Sequence, residues 1–243
     1  MLPPTTVPMT ARALVLLTAL AAAAAAQQPA VSVERSGSVV TLSNRLVAVR
    51  YDLAHGTWDA IDRTAGRPRI RNAVTTLNAF HSDAPGAIRT AAEQPVADAL
   101  GIGKSLLIDT ALPHGPSLLL RLTLYPDSGY LALSAGLSNS TKAAIRIKTM
   151  SPMSDASAFP GESHAERYSV LDGNGGGAPT LVSHEPGLRK SLNNLLITFG
   201  PPSGNHSLVV GGLTYDEFEK YAEVNSAAGR LLLRTWAEDP VGK

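Results

Sequence analysis

Cysteine is absent from the 243-residue chain, and aromatic residues make up only 5% of it. The first absence removes disulfides, thiolate zinc ligands and thiol nucleophiles from consideration, so stability has to come from a sizeable core. The second leaves little material for an aromatic-lined sugar groove. Charge is sparse as well, at 17% of residues with a formal net charge of +1. No Lys/Arg cluster supplies the basic face that phosphate recognition needs, which excludes a nucleic-acid partner. The nearest basic run, Arg63, Arg67, Arg69 and Arg71, has Asp59 and Asp62 beside it and reads as a solvated loop. A hydrophobic content of 44% in turn excludes a disordered chain.

Long apolar runs are also lacking, apart from ALVLLTALAAAAAA at Ala13–Ala26, which spans 14 residues. That is short of the roughly 20 residues of a membrane-crossing helix. With Arg12 before it and the small residues Ala24-Ala25-Ala26 before Gln27, the run has the outline of a secretory signal peptide over residues 1–26, cleaved after Ala26. A single domain is expected over residues 27–243, with no membrane attachment after cleavage. The Ala-rich leader and missing cysteine suit a secreted or periplasmic bacterial protein. Asn139-Ser140-Thr141 and Asn205-His206-Ser207 match the N-glycosylation acceptor pattern, which matters only in a eukaryotic secretory route.

What is present is alternation. In SLLLRLTLYPDSGYLALSAGLSN, Ser117–Asn139, Leu118, Leu120, Leu122 and Leu124 share one face, with Arg121, Thr123 and Tyr125 on the other. Pro126-Asp127-Ser128-Gly129 reads as a turn with Gly129 free to take the left-handed exit. Leu131, Leu133, Ala135 and Leu137 then line one side of a returning strand. A hairpin so apolar on one face needs a second sheet to cover it. Further strands are expected at 31–44 (two), Arg45–Leu53, Thr57–Asp62, Val74–Phe80, Ser105–Ala111, Ala143–Met150, Tyr168–Asp172, Thr180–Ser183, Asn194–Phe199, Ser207–Tyr215, Phe218–Asn225 and Arg230–Trp236. Residues 83–104, marked by Pro and Gly, read as loop with a short strand at Ala87–Ala91, and Ser151–Glu166 reads as a polar excursion. About a dozen short strands and no helix predict an all-β fold, a large antiparallel β-sandwich.

Chemical motifs are few. Gly101-Ile102-Gly103-Lys104-Ser105 resembles the end of a phosphate-binding loop, but Asp98 stands where the first glycine belongs and a strand follows. The six histidines, His55, His81, His114, His164, His184 and His206, are dispersed, and only His81-Ser82-Asp83 has ligand-like spacing, so no metal site and no cofactor are expected. Glu162, His164 and Glu166 would share a face if extended, yet fall in a loop-like stretch. Glycoside hydrolysis needs two facing carboxylates. Asp52, Asp59, Asp62, Asp109, Asp127 and Asp172 fall mostly at strand ends and turns, and sequence pairs none of them. Three residues stand as carbohydrate-contact candidates: Trp58, and Asp172 with Asn174 in a glycine-rich loop that would reach a neighbouring ligand site. Trp58 and Trp236 both sit within strands, where a core position competes with a sugar-stacking one.

Several pieces carry a resemblance: Val40-Thr41-Leu42-Ser43-Asn44 followed by RLVAVRYDL, then Gly56-Thr57-Trp58-Asp59-Ala60-Ile61-Asp62. After these come the Ser117–Asn139 hairpin, IRIKTMSPM, the glycine-rich turn after Tyr168, and RLLLRTWAED. Over most of residues 31–239 the chain resembles the N-terminal β-sandwich domain of the α-galactosidase and raffinose-synthase group of glycoside hydrolases. The resemblance implies a galactose-mutarotase-like supersandwich packed against a catalytic (β/α)8 barrel. The catalytic aspartates of that group lie in the barrel, and no position here matches its motifs, so no catalytic residue carries over. The chain is expected to be a non-catalytic accessory domain, a fragment whose parent is an exported hydrolase, with carbohydrate and a barrel domain or second subunit as partners. A free-standing carbohydrate-binding or mutarotase-like sandwich is the alternative, and a purely structural exported sandwich the third.

Overall fold

The computed structural model describes residues 31–161, 168–172, 180–183, 187–199, 206–214, 218–227 and 230–239. The expected signal peptide and cleavage point, the glycine-rich turn with Asn174, and Glu162, His164 and Glu166 lie outside the described residues. Residues Val31–Lys243 cluster as one compact unit. Among the described residues all regular structure is strand, paired antiparallel throughout, as the alternation predicts.

Three sheets make the sandwich. The widest runs β1 (Ser32–Ser36), β2 (Val39–Ser43), β3 (Val47–Asp52), β4 (Thr57–Asp62), β5 (Arg67–Leu77), then β11 (Thr149–Ala158), β18 (Arg230–Glu238), β17 (Glu219–Ala227) and β14 (Gly187–Leu192), with β6 (Phe80–His81) also on β5. A four-stranded sheet has the order β10 (Ala132–Ser138), β9 (Ser117–Leu124), β8 (Gly101–Ala111), β7 (Ile88–Asp98). A second has the order β13 (Thr180–Ser183), β12 (Tyr168–Asp172), β15 (Asn194–Phe199), β16 (His206–Gly211). The first small sheet meets the wide one where β9 approaches β2 and β5. The second meets it where β15 and β16 approach β17 and β12 approaches β14. One apolar layer joins all three: Leu42, Val49 and Trp58, then Leu106, Leu120 and Leu122, then Leu195, Ile197, Val224 and Leu233.

The Ser117–Asn139 hairpin keeps the faces read from sequence. Leu118, Leu120, Leu122 and Leu124 are all buried, and Leu133, Ala135 and Leu137 pair with Leu122, Leu120 and Leu118. The turn differs in one respect. Asp127 takes the left-handed conformation (φ 55°), not Gly129, and β10 starts only at Ala132. Asp127 is a residue type that tolerates this region, and Arg45 Nε donates to its carboxylate at 3.2 Å.

Four expectations are corrected. The basic run is not all loop: Arg67, Arg69 and Arg71 lie on β5, where Arg69 Nη2 donates to Asp62 at 2.9 Å. Residues 83–104 are largely strand: β7 and β8 pair in unbroken register from Ile88–Ala111 to Asp98–Gly101. Pro95 is tolerated because β7 is an edge strand. The glycines serve packing, since a Cβ on Gly103 would lie 2.4 Å from the Leu124 carbonyl oxygen and 2.9 Å from the Tyr125 ring. Next, residues 143–148 are not strand. The Asn78 side chain takes their backbone groups, accepting from the Lys148 N–H (2.8 Å) and donating to the Arg146 carbonyl (2.8 Å). Finally, Thr149–Ala158 is a central strand and not an excursion. Its polar look comes from Pro152, which sits at a register shift where no ladder bond is lost, and from Ser151 and Ser154, which hydrogen-bond each other at 3.1 Å.

Two polar residues lock the sandwich end to end. Asn44, buried between β2 and β3, accepts from the N–H groups of Leu46 (2.8 Å) and Val47 (2.7 Å). It donates to the carbonyls of Tyr125 (2.7 Å) and Ser128 (2.9 Å) in the other sheet's turn. Arg89 on β7 donates to the carbonyls of Ser82 (2.6 Å), Ala84 (2.9 Å) and Ala54 (3.1 Å), closing the β3–β4 and β6–β7 connections together. Gly56 (φ 74°) is required beneath it, because a Cβ would meet the Ser82 carbonyl oxygen at 2.0 Å.

Asn44→Ala forfeits four hydrogen bonds, including both that tie the two sheets together at the Tyr125–Ser128 turn, which predicts a loss of roughly 2–4 kcal/mol. Chemical unfolding followed by far-UV circular dichroism measures it; Ser32→Ala, on the half-exposed face of β1, shifts the midpoint little by comparison.

Candidate functional site

The far end of the wide sheet carries the densest chemistry among the described residues. Leu231 and Leu233 on β18, and Ala222 and Val224 on β17, enter the core. Alternation therefore puts Arg234 and Trp236, and Tyr221 and Glu223, on the outer face. The register sets Tyr221 opposite Trp236, Glu223 opposite Arg234 and, from β14, Lys190 opposite Glu223.

The side chains stack accordingly. Tyr221 and Trp236 lie with ring centroids 5.2 Å apart and planes inclined by 23°. Lys190 Nζ sits 3.9 Å from the Tyr221 centroid and 5.1 Å from that of Trp236, and the Arg234 guanidinium carbon is 4.7 Å from the Trp236 centroid. Both cations are within the roughly 6 Å at which an aromatic face attracts them. Covered in this way, Trp236 is only 6% exposed although it belongs to the outer face.

Two carboxylates close the stack. Glu219 and Glu238 stand directly opposite each other in the β17–β18 ladder. Like charges so placed repel. Each accepts one aromatic proton: the Tyr221 hydroxyl donates to Glu219, and Trp236 Nε1 donates to Glu238 at 3.2 Å. The hydrogen bond to Glu219, helped by partial burial, pushes the Tyr221 phenol up to about 12. The arrangement combines aromatic faces, two cations and a facing carboxylate pair on one rigid sheet surface. It can bind a polar partner, and its carboxylates lie at the separation of a directly opposed ladder pair, about 4.5–5.5 Å between Cβ atoms.

Other ionisable groups are tied into turns. Asp62 accepts from Thr64, from the Ala65 N–H and from Arg69 Nη2 at 2.9 Å; burial opposes its ionisation, yet these partners hold it down at about 2. Asp52 caps Ala54 and pairs with His55 at 2.6 Å, and its carboxyl is likewise lowered against a burial penalty. Asp98 accepts from the Tyr125 hydroxyl at 2.6 Å, which lowers the acid. Burial, then this bond, pushes the phenol up to about 12. His81 and Asp83 approach to 3.8 Å on an exposed turn. Among the described residues no three His, Asp or Glu side chains converge as a metal site would require.

The sequence candidates fare differently. Trp58 is 1% exposed and lies in the core opposite Tyr51 and Ala73, so no sugar ring reaches it. That corrects its assignment as a carbohydrate contact: the strand's alternation turns its large apolar side chain inward. Asp172 ends β12, paired with Thr180 and Leu195. Asn174 lies outside the described residues. No protein-family model and no curated protein matches the chain.

Sequence reasoning missed Lys190, Glu219, Tyr221, Arg234 and Glu238. The signal was the inward Leu231 and Leu233, which fix Trp236 as outward by parity; Leu232 between them hid it.

Tyr125 and Tyr221 are raised to about 12 and burial raises Tyr51 as well, so a 295 nm titration of the folded protein should show three phenols ionising above the ordinary 10.0, two of them near 12. Glu219→Gln keeps a neutral acceptor but removes the carboxylate charge that holds one of these protons, and should return a single phenol toward 10.0. The folded state holds these protons more tightly than the unfolded chain. Their stabilisation is therefore complete below pH 10 and is lost as pH rises from 10 toward 12.

Proposed function

We propose that this chain is the non-catalytic N-terminal β-sandwich domain of an exported α-galactosidase-like glycoside hydrolase, secreted or periplasmic. On this reading a catalytic (β/α)8 barrel or a second subunit meets the wide sheet's outer face. One observation carries it: the Lys190–Tyr221–Trp236–Arg234 stack lies on the wide sheet's outer face, opposite the core side on which β15 and β16 approach β17. Tyr, Trp and Arg are the residue types that dominate the energetics of protein interfaces. The turn carboxylates support the reading further. Asp52, Asp62 and Asp98 are held ionised by backbone and side-chain donors, the opposite of what a general acid needs.

A second reading has its own observation. Glu219 and Glu238 face each other beside two aromatic rings, the ingredients of a free-standing carbohydrate-binding or mutarotase-like site. Both readings assign carbohydrate as the substrate class of the whole protein.

Assays of the purified chain separate them. The accessory reading expects no hydrolysis of an aryl α-galactoside and no acceleration of galactose anomer interconversion followed by polarimetry. Acceleration that disappears in Glu219→Gln or Glu238→Gln would overturn it in favour of the second reading. Reading the coding frame beyond Lys243 tests the same point independently, with a continuing frame of alternating strands and helices as the expected result.

A further inference from the structure

Among the described residues each of the three sheets ends in two edges, and an edge strand exposes unpaired N–H and C=O groups to any other strand that can dock. Most edges here are guarded. β1 carries exposed Glu34 and Arg35. β7 carries Arg89, Glu93, Pro95 and Asp98, and β14 carries Arg189 and Lys190. Of the three edges without charge or proline, β13 is only four residues long and β10 lies beside β11 of the wide sheet. The remaining edge is β16, His206-Ser207-Leu208-Val209-Val210-Gly211, with six residues and no charged side chain. Its exposure alternates. Leu208 and Val210 pack against the core, while Ser207, Val209 and Gly211 face outward. Val209 is 68% exposed, and Leu213 just beyond the strand is 70% exposed.

We propose that β16 is a self-association edge, at which a second copy of this chain adds its own β16 antiparallel and continues the β13-β12-β15-β16 sheet across a twofold axis. Charge argues for a second copy as the occupant. Self-pairing of β1, β7 or β14 would crowd their charged side chains against those of the second copy, whereas β16 brings none to the seam. Register then follows from the pleat. Directly opposed residues of an antiparallel pair share a face, so the core-facing Leu208 and Val210 must meet each other and not Val209. The register that satisfies this over the length of the strand sets Val209 opposite its counterpart, Leu208 opposite Val210, and Ser207 opposite Gly211. The outer seam is then a valine pair, a favourable β-branched contact, flanked by serine against glycine, where there is no side chain to clash. His206 stays on the core-facing side, where Arg69 Nη2 donates to its Nδ1 at 3.2 Å and anchors the strand to the wide sheet. A twofold pair of this kind closes on itself and does not propagate.

The absence of cysteine makes the test clean. A single Val209→Cys places two thiols opposite each other, with Cα atoms about 4.5–5.5 Å apart, within disulfide range. A single Ser207→Cys leaves its counterpart four residues along the strand, about 13 Å away. Mild oxidation followed by non-reducing electrophoresis should give mainly dimer for the first and mainly monomer for the second. Light scattering after size exclusion should give a dimer mass for the wild-type chain, and Val209→Lys, with an unchanged circular dichroism spectrum, should run as a monomer. A monomeric wild type at about 100 μM, equal cross-linking at the two positions, or growth into open-ended aggregates would each overturn the proposal.

Discussion

The structure depends on burying a single face of one very wide sheet. A sheet that combines β1 to β5 with β11, β18, β17 and β14 presents more apolar surface than one ordinary partner sheet can cover. Two separate four-stranded sheets do the covering: β7 to β10 come from one stretch inserted between β6 and β11, and β12, β13, β15 and β16 from two stretches on either side of β14. The core layer accordingly runs without a break from Leu42 and Trp58 under β9 to Val224 and Leu233 under β15. Everything polar that matters is pushed to the ends and to the outer face. Asn44 and Arg89 stitch connections at the ends, and the Tyr221–Trp236 stack lies on the face that the small sheets leave alone.

That division explains what the sequence makes legible. A strand half-buried in a two-layer sandwich has to alternate, and Leu118, Leu120, Leu122 and Leu124 do so without interruption, so both their faces and their partner strand could be read directly. β7 and β11 could not. β7 is an edge strand with no fully buried residue, so its inward side carries no run of large apolar residues and it tolerates Pro95. β11 is central but bulged. Its register slips on both sides, and Asp155 adopts a left-handed conformation (φ 53°), which breaks the period-2 signal. The loop reading of residues 101–104 has a different origin. Those glycines answer to the Tyr125 ring across the sheet, a contact that lies far away in sequence.

The candidate site was legible in residue type but not in position. Scarcity of aromatics directs attention to the two tryptophans, and one of them does sit at the site. Which one depends on parity within its strand and on how many neighbours cover it. Trp58 points into the core from β4. Trp236 points out from β18 and is then hidden by its own outer-face neighbours. Neither β14 nor the β17–β18 register can be inferred from local sequence, so Lys190 and the opposed glutamates were beyond reach.

The internal bonding of the stack bears on what it can do. Glu219 and Glu238, placed opposite each other, would repel if bare; the Tyr221 hydroxyl and Trp236 indole N–H satisfy one oxygen of each and fix both rings. The rings in turn hold Lys190 and Arg234 by their π faces. A pyranose could stack on Trp236 only by displacing Lys190 or Arg234, giving up a cation–π contact for a weaker one. An opposing protein surface needs no such displacement. It can meet the outer edges of the two cations and the half-exposed Tyr221 while the stack stays assembled as a rigid, pre-organised patch. This difference in cost weighs toward a face built for a partner domain over a platform for free sugar.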